Sequence, residues 1–407
     1  MAKDWIISER YETPVLEPGK PSPATWPWLK NVVWLFLLSR LFFFETAGLA
    51  YIYLPHAWVE TPPGRLPPSG NFFYHILAGL WVHWDGLWYL SIANVGYANR
   101  PQATAFFPLY PLVMKLFGGG VVSGMLVSMA CFLVALYVFA RLVTLDMGPR
   151  VAWFSILALA VFPTSFYFNA VYSESLFLLL AVSSLYSLRT GRYWIAGILG
   201  ALATLTSTYG MVLCLPFLWV IWRSHGFRIK RLVHILWMPA GLVSYMIFLI
   251  PRFGDPLVFE KVQKFWGRHF ELFPVTIFDA FKSAYHALPI FFNPHQLFAT
   301  GVPTTTASNF FNLLFGIFAI VIAIVSAKRI PFYLWLYMLG ALLLPFTYPA
   351  GDPLMSIPRL TLEAFPIFIG IGSIMARIHW TRALYFIVAI PSGMLLTALF
   401  ATAHWVA

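Results

Sequence analysis

The chain has 407 residues, of which 60% are hydrophobic, 18% aromatic and only 10% charged. That balance excludes an ordinary water-soluble domain, and the formal charge of +11 is scattered over short connections between apolar runs rather than gathered into a nucleic-acid patch. Cys131 and Cys214 both lie inside apolar runs, so they read as packing residues and give no disulfide framework.

Residues 1–29 carry Pro14, Pro18, Pro21, Pro23 and Pro27 among mixed charges and lack the apolar core of a secretion signal, which predicts a cytoplasmic tail. Beyond it, apolar runs of about 20 residues recur, enough to cross ~30 Å of hydrocarbon at ~1.5 Å per residue. No strand-like alternation appears, and a backbone in lipid must satisfy itself, so the spans are expected to be helices. The pattern predicts an all-α polytopic membrane protein whose single transmembrane domain fills 30–407. About eleven spans are expected, near 30–54, 112–143, 151–169, 173–189, 193–207, 209–223, 232–250, 309–327, 332–349, 359–377 and 383–403.

With the N-terminus inside, the inner connections hold Arg150, then Arg189 and Arg192, then Arg223, Arg228, Lys230 and Arg231, then Lys328 and Arg329, then Arg377 and Arg382. Positive residues thus fall on one side at every turn. The stretch 193–223 has basic residues at both ends and must go out and return, as a hairpin of two short helices meeting at Thr206-Ser207-Thr208-Tyr209-Gly210. Two outer loops are long, 55–111 and 251–308. In the first, after Pro55, Pro62, Pro63, Pro67 and Pro68, the residues Phe73, Leu77, Leu80, Trp84, Leu87 and Trp88 form an apolar stripe at helical spacing, which predicts an interfacial amphipathic helix. The second mixes Lys261, Lys264, Arg268 and Lys282 with Trp266, Phe270 and Phe273, again an interfacial pattern.

This topology sends Asp85, Glu174, Arg268, Asp352 and Arg359 to the outer face. A charge at a span centre costs roughly 2.5–3.5 kcal/mol, so ionisable groups at the membrane boundary are functional candidates by default. Asp85, in His83-Trp84-Asp85-Gly86, suits a general base that draws a proton from a hydroxyl in an aromatic-walled groove; capping a helix is the plainer alternative. Glu174, in Tyr172-Ser173-Glu174-Ser175, suits the first turn of a helix, where the macrodipole favours an anion, or a ligand to sugar hydroxyls. Arg359, after Ser356-Ile357-Pro358, could grip a phosphate bidentately or snorkel to ordinary headgroups, and Arg268 is a second candidate of that kind. His83 could bind phosphate or tune the base. Arg40 and Glu45, five apart in the first span, are too far for a helical pair, and each is expected to engage another helix. His75, His83 and Asp85 lack the spacing of a metal site, so neither metal nor cofactor is expected. No phosphate loop, nucleophile elbow or dinucleotide fingerprint occurs.

Taken together, His83-Trp84-Asp85-Gly86 through Ala93, Gly96-Tyr97, Phe106-Phe107-Pro108-Leu109-Tyr110-Pro111, Phe162-Pro163-Thr164-Ser165, Tyr172-Ser173-Glu174-Ser175-Leu176 and Pro358-Arg359 with Pro366 resemble the PIG-V family. These are mannosyltransferases related to the second mannosyltransferase of GPI-anchor synthesis, with shorter bacterial members. The resemblance implies a GT-C fold, a catalytic Asp in the first outer loop, and an inverting transfer of mannose from polyprenyl-phosphate-mannose to a hydroxyl of a lipid-linked or membrane-proximal acceptor. On that pattern Asp85 is the base, with His83, Glu174, Arg268 and Arg359 as substrate-binding residues. Ser207 stands where the family leads one to expect Arg. The implied setting is a bacterial plasma membrane with an outward-facing site, or an ER membrane with a lumenal one. A transporter or flippase of a lipid-linked sugar is the alternative, favoured by charges lining a midplane path; a binding or scaffolding member without activity is a third.

Overall fold

The computed structural model describes residues 29–57, 71–97, 100–225, 229–298 and 304–406. The predicted tail over 1–28 and the prolines at 62–68 lie outside them. Among the described residues every regular element is helical, in the order α1 (Leu29–Tyr53), α2 (Phe72–Leu77), α3 (Asp85–Val95), α4 (Leu109–Leu116), α5 (Val121–Met147), α6 (Pro149–Ala160), α7 (Glu174–Arg189), α8 (Tyr193–Thr204), α9 (Cys214–His225) and α10 (Ile229–Leu232). There follow α11 (Trp237–Phe253), α12 (Val258–Lys261), α13 (Phe273–Phe291), α14 (Pro294–Leu297), α15 (Thr304–Ser326), α16 (Phe332–Thr347), α17 (Ile357–Leu360), α18 (Pro366–Arg377) and α19 (Trp380–Ala401).

Five helices, α1, α5, the 233–253 segment ending in α11, α15 and α19, are long and apolar enough to cross a bilayer unaided; six shorter apolar helices accompany them. Large apolar side chains such as Leu38 on α1, Ile247 on α11 and Ile387 on α19 are exposed, an arrangement that lipid accepts and water does not. The chain is a multi-pass membrane protein.

Several expected spans are broken, each with a local cause. The 112–143 run divides into α4 and α5 at Gly118 and Gly119, both with positive φ that glycine adopts without strain. The 151–169 run stops at Ala160, because Pro163 cannot supply the amide a continuing helix needs and a 3-10 turn, Ser165–Phe168, takes over. Similarly, 359–377 resolves into one turn (α17), an irregular stretch and α18, which starts on Pro366. The 193–223 hairpin has its turn where expected: α8 ends at Thr204, a 3-10 segment covers Thr208–Leu213, and α9 follows. A Cβ on Gly210 would lie 2.3 Å from the Thr204 amide nitrogen, so this tight reversal requires glycine.

The loop stripe is not one amphipathic helix. It forms α2, a 3-10 turn at Gly79–Trp81 and α3, and the residues sequence spacing placed on one surface separate: Phe73 and Leu77 are exposed whereas Leu80 and Leu87 are buried. The 251–308 loop likewise contains a long helix, α13, packed on α15 and α16. In the middle of the fold α7 is buried on nearly every side and packs against α5 and α8, while α6 packs on α18 and α1 on α19. An apolar helix with no polar face belongs at such a centre. Its first residue is Glu174 and its last Arg189.

Candidate active site

Above the N-terminal end of α7 lies a cavity of about 330 Å³. Asp85 enters it as the first residue of α3, and Trp84 before it has φ 52°, a value costly for a side chain of that size. This break turns the chain so that α3 begins with its carboxylate at the favourable pole of the helix dipole. Glu174 is the first residue of α7, as expected for a helix start. Ser173, which could have capped that helix, instead shares a 2.8 Å hydrogen bond with the hydroxyl of Tyr89, one α3 turn beyond Asp85.

Arg359 brings the two acids together. Its Nη1 donates to Asp85 Oδ2 at 2.5 Å, and its Nε lies 3.4 Å from Glu174 Oε1. Behind it, the guanidinium sits 5.9 and 5.4 Å from the ring centres of Tyr167 and Tyr172, a cation–π environment. The backbone presenting Arg359 is held by Thr164, whose hydroxyl donates to the Pro358 carbonyl at 2.7 Å. Ser356, just before α17, has φ 68°. All four positive-φ residues other than glycine among the described residues, Trp84, Leu354, Ser356 and Ala403, thus line the cavity or stand within two residues of a side chain that does. Each costs roughly 1–2 kcal/mol, strain of the kind that gathers at functional sites.

Arg40 explains the Phe162-Pro163-Thr164-Ser165 motif. Buried in α1, it donates to the Ser165 carbonyl (2.7 Å) and hydroxyl (2.8 Å), the Ala160 carbonyl (3.0 Å) and Asn169 Oδ1 (2.9 Å). As expected it engages another part of the bundle, but through neutral oxygens, which fasten the broken end of α6 so that Thr164 can hold Pro358. Glu45 is exposed.

Arg268 reaches the cavity from the 251–308 connection after Gly267, whose φ of 69° and 2.9 Å distance from a Cβ to the Gly351 amide nitrogen leave room only for glycine. The one hydrogen bond of its side chain among the described residues is a long one, 3.4 Å from Nη1 to the Tyr348 carbonyl, and no carboxylate there forms an ion pair with it. Burial, with Arg359 nearby, lowers its pKa from the usual guanidinium value. It is a half-buried cation whose lost hydration no carboxylate replaces.

Aromatic side chains make the walls. Trp88 stacks on Phe106 at 5.4 Å, Trp266 meets Phe106 edge-on at 5.9 Å, and Trp405, from the C-terminal segment, meets Trp84 edge-on at 4.9 Å. The motif tyrosines act as fasteners: Tyr97 donates to the Phe106 carbonyl at 2.8 Å, and Tyr110 bonds Ser128 at 2.9 Å.

Of the residues singled out from sequence, Asp85, Glu174, Arg268 and Arg359 line this cavity, and His83 and Asp352 do not. The His83 ring packs edge-on against Phe400 at 5.4 Å. Burial, with His56 adding repulsion, pushes its pKa down to about 4, so it is neutral near pH 7 and does not fit a cationic phosphate ligand. Asp352 accepts a 3.2 Å hydrogen bond from Asn309. Sequence reading missed Glu363, Ser207 as its partner, Tyr209 and Trp405. For Glu363 a signal existed, a carboxylate inside a predicted span. Among the described residues no three His, Cys, Asp or Glu side chains form a metal-ligand group.

Asp85 and Glu174 both lie in a segment similar to a known family. Residues 61–225 match the mannosyltransferase (PIG-V) family. This chain is 32% identical over 206 residues to GPI alpha-1,6-mannosyltransferase 2 of Rattus norvegicus, covering 46% of this chain and 41% of that protein. With the Homo sapiens protein of the same name it shares 32% identity over 176 residues, 39% of this chain and 35% of the relative. The match therefore spans only about two fifths of these relatives' length. The crystal structure of ArnT from Cupriavidus metallidurans bound to undecaprenyl phosphate superposes with a TM-score of 0.50 at 14% identity, covering 92% of this chain and 77% of that one. That likeness shows a shared fold over most of the chain. Asp85, Glu174 and Ser207 fall within the PIG-V segment, whereas Arg268, Arg359, Glu363 and Trp405 come from beyond it.

Proposed function

We propose that the protein is an inverting mannosyltransferase that moves mannose from polyprenyl-phosphate-mannose to a hydroxyl of a lipid-linked or membrane-proximal acceptor. The observation carrying this reading is the cavity in which Asp85, clamped by Arg359, faces the same space as Arg268, which forms no ion pair among the described residues. In the reaction the acceptor oxygen attacks the anomeric carbon as the bond from that carbon to the phosphate oxygen breaks, and the acceptor proton passes to Asp85. One base suffices, because the departing phosphate needs no acid.

Sequence alone favoured Arg359 as the phosphate ligand. The geometry supports a different division of labour: Arg359 is occupied by two carboxylates and orients Asp85, while Arg268, with no ion pair among the described residues, is the cation placed to take the charge that grows on the leaving phosphate. The mannose rests on the PIG-V family match and the prenyl phosphate on the fold shared with ArnT, whose structure holds undecaprenyl phosphate. The basic connections support a site on the face opposite them; we read the setting as a bacterial plasma membrane with that face outward, and the fold as one domain over 30–407.

The test is transfer in proteoliposomes supplied with polyprenyl-phosphate-mannose and a membrane lipid extract. Asp85→Asn is expected to remove transfer while leaving the fold and donor binding intact; full activity in that variant would falsify the base assignment.

A further inference from the structure

One acidic group in the cavity has no part in the reaction as described. Glu363 lies in the irregular stretch between α17 and α18, four residues after Arg359, with its residue only 5% exposed. Its Oε2 accepts a 3.0 Å hydrogen bond from the Ser207 hydroxyl at the turn of the 193–223 hairpin, and its backbone carbonyl accepts another from Tyr337 at 3.0 Å. Among the described residues it has no cationic partner, since Arg359 is taken by Asp85 and Glu174. A second, independent observation comes from Glu174. That residue is 4% exposed, and its Oε2 is buried with no hydrogen-bond partner although the side chain lines the same cavity.

We propose that Glu363, tethered by Ser207, together with the open oxygen of Glu174, forms a site that reads the hydroxyls of a sugar ring. This rests on the transferase reading above and extends it to a subsite of the same cavity. Buried carboxyl oxygens without donors carry a desolvation cost that a ligand's O–H groups remove, and a pyranose ring presents several such donors. An ammonium group could supply donors too, but Arg268 and Arg359 line the same space and repel it. The aromatic walls at Trp266 and Phe106 suit the apolar face of a sugar. Ser207, standing where the PIG-V pattern leads one to expect Arg, fits this assignment. A hydroxyl fixes the Glu363 carboxyl through a single hydrogen bond, whereas an arginine there would occupy it as Arg359 occupies Asp85.

The ring belongs either to the donor or to the acceptor, and two measurements separate these sources. Binding of bare undecaprenyl phosphate and of undecaprenyl-phosphate-mannose is measured on purified wild-type protein, Glu363→Gln and Ser207→Ala. If the donor's ring is read, Glu363→Gln weakens binding of the mannosyl lipid about tenfold and leaves the bare phosphate within twofold of wild type; Ser207→Ala shifts in the same direction by less. If the acceptor's ring is read, both lipids bind as before, while transfer of labelled mannose to membrane lipid extract shows an acceptor KM raised about tenfold at unchanged donor KM. Equal weakening of both lipids, or no response in binding or transfer, overturns the sugar site. Wild-type protein that binds neither lipid overturns the transferase reading itself, a result visible before any variant is made.

Discussion

At the N-terminal end of α7, Glu174 shares Arg359 with Asp85; at its C-terminal end, about 22 Å away at 1.5 Å per residue, Arg189 meets Asp146 at 2.7 Å. Both are buried arginine–carboxylate groups joining distant helices. In the inner group each Asp146 oxygen is used, one by Arg189 Nε and the other by the Tyr333 hydroxyl at 2.6 Å, and the side chains are 5% and 2% exposed. In the outer group Glu174 Oε2 has no partner and the Asp85 side chain is 23% exposed to a cavity. Satisfied ionic clusters specify how helices meet; under-satisfied ones beside an open space bind something. The same residue types therefore predict different consequences when they are removed.

The largest effect is expected at the open end. Asp85→Asn should reduce transfer about 10³-fold, the scale of a lost general base, with the thermal unfolding midpoint in detergent nearly unchanged. At the closed end the expectation reverses. Asp146→Asn should destabilise the fold by about 3–5 kcal/mol, because it removes the buried charge that accepts from both Arg189 Nε and the Tyr333 hydroxyl, while the specific activity of the folded fraction stays within about twofold. An Asp146 variant that folds normally but transfers no mannose would dissolve the distinction between the two ends. Arg268→Gln sharpens the outer group from within. Loss of the leaving-group cation should lower kcat/KM about 10²-fold with no change in melting, whereas Arg359→Gln should lower both activity and stability, since it uncovers two acids.

His83 gives the smallest signal. Its pKa falls from an ordinary value near 6.5 to about 4 on folding, so its contribution to stability is complete above pH 6.5 and is lost as the pH drops towards 4. Wild-type protein should therefore lose unfolding midpoint on acidification through that window more steeply than His83→Asn. Equal slopes would show that the ring is not held neutral by the fold.

Much of this was readable in the chain. The apolar runs located most of the helices, the basic connections ordered them, and the helix start at Glu174 follows from local sequence. Helix breaks were harder: Gly118 and Gly119 divide one predicted span, and Pro163 ends another, because mean hydropathy over a window does not register backbone geometry. The loop stripe failed for a different reason. Helical spacing assumes one continuous helix, and the positive φ of Trp84 resets the phase just before Asp85. Arg268 was noticed as a basic residue in an interfacial loop, yet its lack of a carboxylate partner could only be seen with the cavity assembled.

What the sequence determined by itself is the solvent and the local frame. Long apolar runs demand a bilayer, and the PIG-V motifs mark the acid at the head of α3. What only the tertiary structure decided is who meets whom: Arg359 closing on Asp85 from 274 residues away, and Ser207 reaching Glu363 across 156. Pairings between helix ends leave no periodic trace in a sequence, because each partner looks locally like any polar residue at the end of a span. Only the packing of α7 among its neighbours brings those ends to one cavity, and with it the division of labour between the two arginines.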